Sequence, residues 1–418
     1  MLRKTIQKFG KKPFHQAYAT DKIKWDLSKS RGSYLIDKHG KKYLDFHGGY
    51  GSNPLGWNHP KLSERLLKRD PSFWINKPAN GDFPTQEVKE FQKAFYDNDL
   101  LYYLDYPWMF FIDGGALAVE NALKIAMDWK TIKTGNQNNP FYQPQIVHLE
   151  KAFHGRSGYT MSLTNTDPNK IKHFSKFESW PRLTNLPYYN DDTQWNFIED
   201  DEKQSLQQFE NILQQDQKSG RNVIAALIIE PIQGEGGDNY FRKEYLQGLQ
   251  TLCLHYDVLL ICDEVQTGFY STGKPWAFQH YDLKPDLVSF GKKSQQCGVF
   301  GGGERLEILK GGCFTTPGRI SSTWSGNLVD MVRATEIMRI IKEDNLPASA
   351  LQLGHYWKEL MCEAFNLHPR NLGINSIRNL GLWLAFDFRD SNSRDILLQF
   401  MEKEGLLGLG SGENTIRF

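Results

Sequence analysis

The chain has 418 residues, enough for a large core and two domains, and its 50 Lys+Arg against 49 Asp+Glu leave a net charge of +1. That balance excludes a broad electrostatic footprint for nucleic acid or an anionic membrane, and no apolar run approaches transmembrane length. Cys253, Cys262, Cys297, Cys313 and Cys362 form no CxxC pair, and no histidines fall at metal-ligand spacing; this fits a reducing, cytoplasmic setting and no metal.

The first twenty residues are basic, with Arg3, Lys4, Lys8, Lys11 and Lys12. They lack the apolar block of a secretory signal, and are Lys-rich where a transit peptide is rich in Arg and Ser. Two short strands are expected at 33–37 and 42–46, around the turn Lys38-His39-Gly40. Gly48, Gly49, Gly51 and Gly56 follow, without the GxGxxG spacing of a dinucleotide loop. They read either as a turn-rich connection or as backbone brought close to a ligand. A helix is expected over 85–96, with Val88, Phe91, Ala94 and Phe95 on its inner side.

A strand over 109–112 then runs into Asp113-Gly114-Gly115-Ala116. The helix that follows carries Ala118, Ala122, Ile125, Ala126 and Trp129 on one face. Strand, glycine turn and helix in this order point free N–H groups at an anion, although an ordinary βα turn looks the same. The strand over 145–149 ends before Phe153, which can stack on a ring, and Arg156, which can clamp a carboxylate. Core packing and a surface ion pair are their plain alternatives. From 167 to 217 the chain is polar and suggests excursions and an amphipathic helix, without chemistry.

The apolar run 223–229 ends in Glu230, and a helix over 244–255 leads to the strand 258–262, which stops at Asp263 and Glu264. A further strand, 287–290, stops at Gly291 and Lys292. This alternation implies βαβ units and a mainly parallel sheet. A polar segment reaches Arg319, and Ser322-Thr323-Trp324-Ser325-Gly326-Asn327 caps a helix over 328–343. A helix from 351, a strand over 382–388, a helix over 393–404 and a strand over 415–418 complete an α+β lobe.

Ligands of open α/β sheets bind outside the carboxyl ends of the strands. An acid at one strand end and a lysine at another can therefore face one bound molecule. Pyridoxal phosphate needs both, a lysine for its aldehyde and a carboxylate for its ring nitrogen. Lys292 and Asp263 suit these roles.

Six motifs together resemble the class III aminotransferases: FIDGGALAVENALK (111–124), AFHGR (152–156), EPIQGEGGD (230–238), CDEVQTG (262–268), FGKK (290–293) and STWSGN (322–327). They stand in the family's order. The resemblance implies an α/β fold of type I, the aspartate-aminotransferase-like architecture, and a homodimer with the site at the subunit interface. It divides the chain into an N-terminal segment, 1–80, a large cofactor domain, 81–325, and a small domain, 326–418. Lys292 becomes the Schiff-base lysine and proton shuttle, and Asp263 the partner of the pyridine nitrogen. Glu230 belongs to the cofactor site. Phe153 and Val265 flank the ring, Gln266 meets its phenolic oxygen, and Gly115, Ala116 and a second subunit's Thr323 take the phosphate. Lys292 is preferred to Lys293 because the family's lysine directly follows the small residue, here Gly291. Members of the family continue past the position of Phe418, so the expectation is either a sequence truncated there or a small domain without the family's last elements.

The motif wording is most similar to family members that act on the terminal amine of L-lysine. Arg156 would then hold the α-carboxylate away from the cofactor and deliver the ε-amine. Arg417 would bind the carboxylate beside the keto carbon of 2-oxoglutarate, with Glu235 masking it in the lysine half-reaction. Donors such as 4-aminobutyrate or ornithine, and a silent binding protein of the same fold, are the alternatives.

Overall fold

The computed structural model describes residues 24–104, 107–177, 179–189, 195–367 and 373–418. The basic leader considered above falls largely in 1–23, outside the described residues. The first strands, β1 (Tyr34–Ile36) and β2 (Lys42–Asp45), pair as a hairpin. Helix Gln86–Asp97 buries Val88, Phe91, Ala94 and Phe95, the four residues its periodicity marks.

Seven strands make the main sheet: β3 (Trp108–Ile112), β4 (Gln145–Leu149), β5 (Arg182–Leu183), β6 (Ile224–Ile229), β7 (Leu259–Asp263), β8 (Leu287–Phe290) and β9 (Cys297–Gly301). Their order is β3-β9-β8-β7-β6-β4-β5. The pairs from β5 to β8 are parallel, while β9 runs antiparallel to both β8 and β3. The strand β9 lies in a stretch where the sequence suggests no strand. Its Gly298 is dictated by crowding: a Cβ there would lie 2.5 Å from the Phe110 carbonyl oxygen and 2.7 Å from the Phe290 ring. A strand that must be thin carries little β-propensity to read.

Both faces of the sheet are covered, so β6 is buried at every residue. Leu227, Ile229, Val288 and Phe290 pack on one side with Phe95, Trp276 and Met338. Ala226, Ile228, Leu259 and Ile261 pack on the other with Ala122 and Trp129. Helix Leu328–Glu343 joins the first of these layers through Met331, Ala334, Ile337, Met338 and Ile341. The Asn327 side chain accepts the Val329 N–H at 3.0 Å, capping that helix as expected.

The remaining strands are β10 (Ile374–Leu380), β11 (Trp383–Phe388), β12 (Leu406–Leu407), β13 (Leu409–Ser411) and β14 (Thr415–Arg417). An antiparallel sheet runs β10-β11-β14-β13, and β12 adds in parallel to β2. The sheet seats Arg417, on β14, opposite Ala385 and Leu409.

Phe290 has no exposed surface and touches Phe95, Trp276 and Phe300 immediately before Gly291 and Lys292. Phe290→Ala should cost about 3–5 kcal/mol of unfolding free energy in urea titrations. A loss below about 1 kcal/mol would show that this ring does not anchor the strand end.

Candidate active site

The ends of β3, β4, β6, β7 and β8 lie on one edge of the main sheet, because these five strands share a direction. Each ends in one of the motifs singled out in the sequence. At the end of β7 Asp263 is 5% exposed. Its Oδ1 accepts the Val265 N–H at 3.1 Å and the Ser289 hydroxyl at 3.3 Å, and its Oδ2 lies 2.8 Å from His154 Nδ1. His154 was overlooked between Phe153 and Arg156, although it stands inside the AFHGR motif. A buried carboxylate without partners is costly, so these contacts hold it in position.

Beyond β8, Lys292 has φ 52°, a left-handed conformation that is uncommon outside glycine. Burial disfavours its ammonium form and the Arg417 charge adds to the effect, bringing its pKa down to about 8; Glu235, Asp263 and Glu230 pull the other way. Lys293 is turned to a different task. Its Nζ donates to the Gln266 carbonyl and lies 5.5 Å from the Trp383 ring centre. Burial brings Lys293 down to about 7, with Lys292 the next cause. Of the two amines, Lys292 is the one that feels Asp263 and Glu230.

Gly115 and Ala116 open helix Gly115–Lys133. The Leu117 and Ala118 N–H groups return to the Gly114 carbonyl, while those of Gly115 and Ala116 have no partner among the described residues. A Cβ on Gly115 would lie 2.7 Å from Val265 Cγ1, so this turn passes directly against Val265. Gly155 has φ 119°, and a Cβ there would fall 2.5 Å from Ala116 Cβ. The AFHGR loop and the helix start are therefore in close contact.

Phe153 is partly buried and its N–H donates to Glu230 Oε1 at 2.8 Å. Glu230 Oε2 accepts the Gly234 N–H at 3.3 Å. Glu230 thus clasps the two loops that end β4 and β6. Burial raises its carboxyl to about 7, against the opposing pull of His154.

Gln266 and Arg417 meet across Gly234, where a Cβ would run into the Gln266 side-chain oxygen and come within 2.8 Å of Arg417 Nη1. Arg417 is 4% exposed, and its Nε and Nη2 have no hydrogen-bond partner among the described residues. Its nearest anions are Glu235, 3.6 Å from Nη2, and Asp238, 3.8 Å from Nη1. Arg156 is exposed, and no ion pair or hydrogen bond involves its side chain among the described residues. Thr323 is exposed as well, and no hydrogen bond involves its side chain among the described residues. Beside this edge lies a cavity of about 570 Å³, lined by His47, Tyr50, Gln266, Lys293, Trp357 and Arg417 among others. It adjoins Gln266 and Arg417 but does not include Lys292 or Asp263.

Residues 15–418 match the family described as aminotransferase class-III. The chain belongs to the class III aminotransferases. It is 41% identical to an L-lysine-epsilon aminotransferase of Amycolatopsis lactamdurans, over 94% of this chain and 86% of that protein. It is 33% identical to a 4-aminobutyrate aminotransferase of Kluyveromyces lactis, over 94% and 84% respectively. Among solved structures, a lysine aminotransferase from M. tuberculosis in the internal aldimine form superposes with a TM-score of 0.90 at 38% identity, covering 100% of this chain and 93% of that one.

The cofactor of this class III aminotransferase is pyridoxal phosphate. The residues fit it: two open N–H donors at a helix start suit a phosphate, and a buried carboxylate lies across from a lysine of lowered basicity.

Gly155→Ala combines a forbidden φ with a clash against Ala116 and should weaken pyridoxal phosphate binding by about tenfold or more, near 1.4 kcal/mol. Equilibrium dialysis of the apoprotein would reveal it, and unchanged affinity would count against the cradle. Capture of an aldehyde cofactor requires a neutral amine, the role proposed for Lys292. Its rate in apoprotein should climb about tenfold per pH unit below about 8 and level off above. A rate still rising steeply at pH 10 would mean an ordinary lysine.

Proposed function

We propose that the chain is an L-lysine 6-aminotransferase. It moves the ε-amino group of L-lysine to 2-oxoglutarate in two successive half-reactions. The products are 2-aminoadipate 6-semialdehyde, which closes to a cyclic imine, and L-glutamate. The observation that carries this reading is the unequal state of two arginines. Arg417 is buried and faces Glu235, whereas Arg156 is exposed and unpaired among the described residues. The 41% identity to a lysine-specific relative over most of both chains supports it.

When bound, pyridoxal phosphate supplies an electrophilic carbon for the amine and a ring that withdraws electrons from the neighbouring carbon. Lys292 would hold the cofactor and would move the proton at the carbon that bears the substrate amine. Asp263, fixed by His154, Ser289 and the Val265 N–H, would partner the ring nitrogen. Gly115 and Ala116 would hold phosphate through their N–H groups, Phe153 and Val265 would flank the ring, and Gln266 would meet its phenolic oxygen. Glu230 serves the site by holding the backbone of Phe153.

Arg156 takes the α-carboxylate of lysine, so the ε-amine is the one that reaches the cofactor. In the second half-reaction it takes the distal carboxylate of 2-oxoglutarate, and Arg417 takes the one beside the keto carbon. The exposure of Thr323 fits a homodimer in which this residue completes the phosphate site of a second copy. No helix among the described residues is long and apolar enough to cross a membrane. The five free cysteines suit a cytoplasmic location.

Mixing the holoenzyme with L-lysine should shift its visible absorbance, and an aminobenzaldehyde should trap the cyclic imine. A shift with 4-aminobutyrate or ornithine but not with lysine would overturn the assignment. Glu235→Ala should keep the cofactor band yet lower the preference for the ε- over the α-amine by about tenfold. Unaltered selectivity in that variant would remove Glu235 from the account.

A further inference from the structure

One charged contact at the edge of the site has no part in the scheme above. Lys170 ends a short turn, Pro168–Lys170, whose geometry is fixed locally. The Asp167 side chain accepts the Asn169 N–H at 2.8 Å, and the Lys170 N–H returns to the Asp167 carbonyl at 3.0 Å. Asn165, just before it, donates to the carbonyls of Leu149 and Leu163 at 3.1 and 2.9 Å. The turn is thereby tied to the end of β4, the strand that leads to Phe153. Lys170 Nζ lies 5.4 Å from the centre of the Phe153 ring and is hydrogen-bonded to Glu235 Oε1.

Glu235 therefore stands between two cations, and it is bonded to only one. Its Oε2 is 3.6 Å from Arg417 Nη2, beyond hydrogen-bonding distance, and Arg417 keeps Nε and Nη2 without partners. A buried guanidinium with open donors is a strong attractor for a carboxylate. Glu235 is the nearest one, and the contact holding it back is Lys170. We propose that Lys170 is a positioning residue that keeps Glu235 off Arg417, leaving the guanidinium open to the carboxylate beside the acceptor's keto carbon. It thereby sets the balance between masking Arg417, which favours the correct end of lysine, and exposing it, which favours the dicarboxylate acceptor. The inference rests on the assignment of Arg417 to that carboxylate.

Glutarate, an unreactive dicarboxylate, is the probe, titrated into the holoenzyme by calorimetry. Lys170→Met keeps the aliphatic stem and removes the charge. Its glutarate dissociation constant should rise about fivefold, and KM for 2-oxoglutarate should rise more than kcat falls. Lys170→Arg should stay near wild type. In a Glu235→Ala background Lys170→Met should have no further effect, because no carboxylate is left to release. Wild-type glutarate affinity in Lys170→Met would overturn the proposal. So would an effect of full size in the Glu235→Ala background, since Lys170 would then touch the ligand itself. Arg417→Lys separates the two readings: if it binds glutarate as wild type does, the Arg417 assignment fails and carries this inference with it.

Discussion

The structure depends on how charges are kept at the edge of a buried sheet. β6, β7 and β8 are buried along their whole length, yet their ends deliver Glu230, Asp263 and Lys292 into a region with little water. Charges in such a place need partners. Asp263 is met by His154, Ser289 and the Val265 N–H, and Glu230 by two backbone N–H groups. Lys292 is left with no hydrogen bond to its amine among the described residues, and burial, with the Arg417 charge, lowers its basicity. A nucleophilic amine arises here because the fold satisfies its neighbours first.

The same constraint explains the two lysines in sequence. Lys293 is more deeply buried than Lys292 and is also pushed toward neutrality, so basicity alone does not separate them. Direction does. Lys293 donates to the Gln266 carbonyl and faces Trp383, away from Asp263 and Glu230. The left-handed backbone at Lys292 is the local cost of turning successive side chains to different sides of the strand end.

Much of this was legible in the chain. Apolar runs that stop abruptly at charged residues marked β6, β7 and β8, and periodicity marked helices such as Gln86–Asp97. The strand β9 was not legible, since its Gly298 answers to Phe110 and Phe290, and its Gly301 to Leu287 and Asp286, rather than to strand preference. The strand β10 was missed as well; its pairing with β11 breaks register between Asn375 and Arg378, which disturbs any period-2 pattern. His154 and Ser289 escaped notice because their importance is contact with Asp263, 109 and 26 residues away in sequence. Lys170 escaped for a related reason. It sits in a polar stretch that reads as surface, and only the folded chain brings it to Glu235, 65 residues further on.

The central claim is that one amine, Lys292, carries the cofactor while its neighbour Lys293 does not. The most direct test is borohydride reduction of the holoenzyme, proteolysis and mass spectrometric mapping of the residue left bearing a pyridoxyl group. The account predicts that group on Lys292 alone. Finding it on Lys293, or on no residue of the FGKK segment, would contradict the account.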